Sequence, residues 1–287
     1  MKFAIKAITL AVALVGSGNA VSAITPSGTP GTGSEGVLSI IDGARQISYT
    51  RDLGILQTQF TNAIAEVAGF SRTWAPDALL TSFLGGAGAG LPSLQFSVAF
   101  GRAELSRLAV TTSLSTAPDP TPLASVTRGN VNNAATFIDQ YLGAANTLGT
   151  HPGAFAVNGS NTAVPADGVA YVDNAGNGGR FSDRIFGFLS APGHSITGAI
   201  GTSMKFLFLQ GAVGSVAAAT YNFYDNANGF SKFTLGTDGT LTFLSPDAVV
   251  IDPGPGPSVI PVPGALVLML SGLGAFGFFG RRKSRAA

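Results

Sequence analysis

The residues able to do chemistry are few, and their spacing argues for packing and turns rather than for a reaction. The chain has two histidines, His151 and His194, and no cysteine. A thiol nucleophile and a disulfide framework are therefore excluded. His194 and Ser195 are sequence neighbours, but catalytic triads assemble in space, and no G-x-S-x-G elbow presents a serine. Zinc needs three or four His, Cys, Asp or Glu ligands, and each histidine adjoins a turn former, Pro152 or Gly193. Two oxygen-rich stretches, 173–178 and 225–229, could hold calcium through Asp, Asn and backbone carbonyls. Both carry alanine at the third position and no glutamate at the twelfth, so they read as Asn/Gly turns. Residues 85–90 have the glycine content of a phosphate cradle without the following Lys-Ser/Thr, and read as a flexible loop. Glycoside hydrolysis can draw two carboxyls from anywhere in a fold, yet only Glu66 and Glu104 follow Glu35 among the glutamates. No catalytic residue, metal ligand or cofactor site is expected.

Sugar stacking is the remaining chemistry. β-Sandwich modules hold polysaccharide on flat Trp and Tyr rings. Here Trp74 is the single tryptophan, among five tyrosines and 20 phenylalanines. Trp74 with Tyr221 or Tyr224 is the candidate platform, against a phenylalanine-rich composition that reads as core.

The elements that would position these residues are mostly strands. Residues 37–41 and 44–50 flank Asp42-Gly43, a hairpin signal. Residues 94–100 alternate Leu94, Phe96, Val98 and Phe100 with smaller residues, as a half-buried strand does, and 105–114 is its partner. Four more strands are expected at 203–210, 216–224, 230–235 and 241–245, the last two around the Asp238-Gly239 turn. Residues 149–179 read as loop with one strand at 169–172. The best helix is 134–146, with an asparagine N-cap and Phe137, Ile138, Tyr141 and Leu142 on one face. Residues 55–68 form a second short helix or a loop, with Phe60, Ile64 and Val67 on one side. This is a mainly β chain: an antiparallel β-sandwich or jelly-roll-like body with one short helix, and a C-terminal transmembrane helix.

The two ends differ in kind from the body. Lys2 and Lys6, an apolar stretch over 7–15 and the A-x-A-like Val21-Ser22-Ala23 read as a signal peptide cleaved after Ala23. Residues 24–36 read as a flexible lead-in, 37–250 as the β-rich domain and 251–259 as a Pro/Gly stem. The tail then runs through Ile260, Pro261, Val262 and Pro263 into an uncharged apolar span, 264–280, and ends on Arg281, Arg282, Lys283 and Arg285. The span is short for a bilayer core of about 30 Å, and the basic cluster should stay cytoplasmic. Six of the 16 basic residues lie in these two ends and all 15 acidic residues lie between them, which leaves the body at −5. A mildly acidic exoprotein has no electrostatic case for nucleic acid.

Motif, span and basic tail in that order resemble the PEP-CTERM sorting signal, and the variant V-P-L-P-A form in particular. Ile260 stands for the valine, Val262 for the third residue and Gly264 for the alanine. The resemblance covers about 259–285 together with the leader. It implies an exosortase-type processing enzyme as partner, transient anchoring in the inner membrane, and release to the cell surface or extracellular matrix among exopolysaccharide. The expected role is non-enzymatic, structural or adhesive, in a biofilm setting. The alternatives are a carbohydrate-binding module and a secreted hydrolase.

Overall fold

The computed structural model describes residues 24, 33–104, 107–114, 126–148, 159–172, 197–211, 218–226 and 228–246. All fall in the first of two units into which the chain divides, Met1–Ala248. The second unit, with the sorting motif, the apolar span and the basic tail, lies outside the described residues, as do Ala23, His151, His194 and 173–178.

Strands dominate. β1 (Glu35–Asp42) and β2 (Ile47–Leu56) form the expected first hairpin. Its turn is set by Asp42, whose carboxylate accepts from the Arg45 backbone and side chain, and by Gln46 at φ 52°. β2 leads into α1 (Gln57–Glu66), then β3 (Ser71–Trp74) and α2 (Ala78–Ala87). β4 (Gln95–Glu104) pairs antiparallel with β5 (Arg107–Leu114). α3 (Arg128–Asn146) follows, then the short β6 (Ser160–Ala163) and β7 (Gly198–Ala199). The last strands are β8 (Ser203–Gln210), β9 (Thr220–Asn222), β10 (Asp225–Asn226), β11 (Gly229–Phe230), β12 (Lys232–Leu235) and β13 (Leu241–Leu244).

Two antiparallel sheets result. The large one runs β3-β13-β12-β8-β5-β4-β1-β2-β6, with β7 added beside β4 and β9 beside β8; β10 and β11 form a small ribbon. The mainly β, antiparallel expectation holds. Among the described residues there are three α-helices, where one was expected at 134–146 and a second short helix or a loop at 55–68. Residues 169–172 form no strand: Pro165–Ala170 is 3-10 turn, entered through Pro165, whose ring fixes φ and removes a donor. The glycine-rich run is not all loop either, since α2 continues through Ala87 before a 3-10 turn over Gly88–Ser93. Val67 caps α1 and is exposed, while Phe60 and Ile64 are buried as their spacing requires.

The large sheet curls. Flat, β3 and β2 would stand seven strand spacings apart, roughly 33 Å. Instead the Trp74 indole N–H donates to the Leu53 carbonyl at 2.9 Å, and Arg51 donates to the Ala75 carbonyl at 2.5 Å. Phe60 of α1 sits inside the curl. Its ring lies 5.1 Å from Phe100 of β4, 5.4 Å from Phe206 of β8, 5.8 Å from Phe233 of β12 and 4.7 Å from Phe243 of β13. One ring touching four strands needs a sheet wrapped around it. The alternation of β1, β4 and β8 makes this possible: Leu38, Ile40, Phe96, Val98, Phe100, Met204 and Phe206 point inward. Val37, Ile41, Ala99, Leu207 and Leu209 point outward and are covered by α3. A sheet buried on both faces must be apolar at successive positions, which dictates runs such as Val37-Leu38 and Phe206-Leu207.

Of the lead-in, residue 24 and residues 33–36 are described. Ser34 bonds Gly101 through its backbone N–H and its hydroxyl, and Ile24 is fully buried among the α3-facing residues.

Candidate functional site

Polar groups gather at two places. At the seam of the curl, Asp77 caps α2 by accepting from the Leu80 N–H at 2.7 Å, the usual role of aspartate at that position. Its other oxygen accepts from the Tyr49 hydroxyl at 2.8 Å and faces the Arg51 guanidinium at 3.9 Å. Burial, then the neighbouring Asp77 charge, push the Tyr49 hydroxyl far above its ordinary value. Tyr49 thus stays protonated at any physiological pH and holds β2 to α2. Nearby, Arg45 clasps Asp42, donates to the Phe83 carbonyl at 2.8 Å and lies over the Phe83 ring. Burial would raise the Asp42 carboxyl, but the hydrogen bonds and charge of Arg45 outweigh it and hold it low.

The second place lies beneath α3. Asn161, Thr50, Ser39 and Ser97 occupy one cross-strand row of β6, β2, β1 and β4, all buried. Tyr141 of α3 reaches down to share hydrogen bonds with the Ser39 hydroxyl at 2.9 Å and the Thr50 hydroxyl at 2.5 Å. Burial pushes Tyr141 up to about 12, against the pull of those two bonds. The Asn161 amide donates to the Ala145 carbonyl at 3.0 Å. The row fixes α3 on the sheet. It offers no base able to activate a hydroxyl near neutral pH, since its members are alcohols, an amide and a phenol kept protonated.

Of the aromatic candidates, Trp74 lies in the apolar cluster inside the curl and Tyr224 packs against it. Trp74 is 7 % exposed; its N–H is spent on Leu53, its ring packs against Phe233 at 6.2 Å, and the Arg72 guanidinium lies over it at 5.1 Å. A ring enclosed this way has no free face for a sugar. Tyr224 packs on Phe206 at 6.2 Å and is pushed up to about 12 by burial. Only Tyr221 stands out, 37 % exposed on β9. No protein-family model, curated protein or solved structure matches the chain. Among the described residues no group of three acidic or histidine side chains could hold a metal, and no helix is long and apolar enough to cross a membrane. In the stretch 225–229, Asp225 and Asn226 of β10 pair with Phe230 and Gly229 of β11.

Sequence reasoning missed both polar clusters. Asp77 carried a legible signal, an N-cap type directly after proline and before Leu80, Phe83 and Leu84. The row under Tyr141 carried none, because its members come from four strands and a helix.

Proposed function

We propose that this is an exported surface or extracellular-matrix protein, sorted by an exosortase-type enzyme and serving a non-enzymatic structural or adhesive role among exopolysaccharide. The observation that carries the reading is the order of the C-terminal segments: Ile260 to Pro263, the apolar span 264–280, then Arg281, Arg282, Lys283 and Arg285, behind a leader ending at Ala23. In this reading the span crosses the inner membrane in the precursor and stops transfer, with its basic end inside. The body suits export without disulfides, because its inward and outward faces are both packed. The sandwich or jelly-roll-like description belongs to the same proposal. It rests on the curl, which brings β3 within side-chain reach of β2.

The test is to replace Pro261 and Pro263 with alanine in the full chain and fractionate the cells. The span still inserts, but the processing enzyme loses its motif, so protein accumulates in the membrane fraction. Release to the medium at the normal level would refute the sorting role.

A further inference from the structure

Ile24 lies eleven residues ahead of β1, yet it is as buried as any described residue. It belongs to the cluster that includes Val37, Val131 and Tyr141. Both of its backbone polar atoms are held by one side chain. The Ile24 N–H donates to Asn146 Oδ1 at 2.9 Å, and Asn146 Nδ2 donates to the Ile24 carbonyl at 3.0 Å. An amide side chain here imitates the pair of hydrogen bonds that one strand residue makes to another. The clamp also stands at a particular place. Asn146 is the last residue of α3, where unsatisfied carbonyls and the helix dipole favour positive charge.

The leader is read to end at Ala23. Hydrolysis there adds water across the Ala23–Ile24 peptide bond. It leaves a carboxylate on the departing Ala23, and the freed Ile24 nitrogen takes up a proton to become an ammonium. We propose that the C-terminal end of α3 is a binding site for the protein's own processed N-terminus: Asn146 Oδ1 receives the Ile24 ammonium while the isoleucine side chain completes the core beneath the helix. The proposal rests on the export reading given above. Leader removal then strengthens the contact, because one amide donor becomes three charged ones at the negative end of a helix. The burial of residue 24 follows from this use, since a mere tether to the leader would gain nothing by entering the core.

The test uses the full chain expressed with its own leader. Mass analysis of the N-terminal peptide fixes the start. The α-amine is then acylated with limiting activated acetate ester at pH 7, in native and in urea-unfolded protein. The native Ile24 amine should react about tenfold or more slowly than the unfolded one. Asn146→Leu should lose most of that protection, and Asn146→Asp, which keeps an acceptor and adds a charge, should retain it. Should Asn146→Leu fail to accumulate, the native-to-unfolded ratio in the wild type and in Asn146→Asp decides. A chain that starts at Ile24 but reacts equally fast in both states overturns the docking and leaves the export reading standing. Protection unchanged in Asn146→Leu also overturns it. A chain that starts elsewhere, or keeps its leader, overturns the cleavage position and the docking together.

Discussion

Phe60→Ala is the perturbation that bears hardest on the curled sheet. Phe60 is fully buried, and five phenylalanine rings surround it: Phe70, Phe100, Phe206, Phe233 and Phe243, at 4.7 to 5.9 Å. Truncating a buried phenylalanine costs about 3–5 kcal/mol in lost transfer energy and cavity. Aromatic pairs add about 0.5–1.5 kcal/mol each beyond area, and here four of the five neighbours come from four strands that cannot all collapse into one hole. The gain in helix propensity from alanine returns only about 0.5 kcal/mol. The expected loss is therefore at the upper end, about 4–5 kcal/mol, a large share of the about 5–15 kcal/mol typical of a whole domain. Phe60→Leu keeps most of the volume and should cost about 1.5 kcal/mol, while Val67→Ala, at the exposed end of α1, should stay within about 0.5 kcal/mol. Urea unfolding followed by Trp74 fluorescence measures all three, because the only tryptophan sits against Phe233 in the same cluster. A Phe60→Ala loss below about 1.5 kcal/mol, or one no larger than that of Phe60→Leu, would refute the packing of four strands around this one ring.

The folded protein should lose stability on the alkaline side. Burial lifts Tyr141 to about 12, so the unfolded chain sheds that proton from about pH 10 while the folded chain keeps it. Stability is intact below pH 10 and falls by about 2–3 kcal/mol between pH 10 and 12 on account of Tyr141; Tyr141→Phe should flatten that part of the slope, and an unchanged slope would speak against it. Gly36→Ala should cost about 1–3 kcal/mol, because the added methyl runs into the Phe100 ring. Adding Phe100→Leu should make the pair cost less than the sum of the two single changes, and strict additivity in thermal unfolding would count against that contact. His151→Ala and His194→Ala should each leave stability within about 0.5 kcal/mol, and an activity that disappears with either histidine would reverse the non-enzymatic reading.

The sequence made legible those parts of the fold whose signal is local. β4 showed itself through the alternation from Leu94 to Phe100, and the β12–β13 hairpin through Asp238, which accepts from the Thr240 N–H, with Gly239 at φ 85°. α1 followed from the spacing of Phe60 and Ile64. α2 was hidden by Gly85 and Gly86, whose composition outweighed the cap at Asp77. α3 begins earlier than its asparagines suggest because Thr127 and Asn130 form a reciprocal cap ahead of them. The burial of Trp74 was illegible: Ser71, Arg72 and Thr73 before it and Pro76 after it give a polar, loop-like setting. Its partner Leu53 is 21 residues away, and only the curl brings them together. The polar row beneath Tyr141 has the same origin, since alignment across strands is a property of register and not of any one segment.

Export and sorting by trimming of both ends are tested most directly by the intact mass of the protein released from cells. The released chain should begin at Ile24 and lack the basic residues Arg281, Arg282, Lys283 and Arg285. Released protein that still carries residues 281–287 would contradict it.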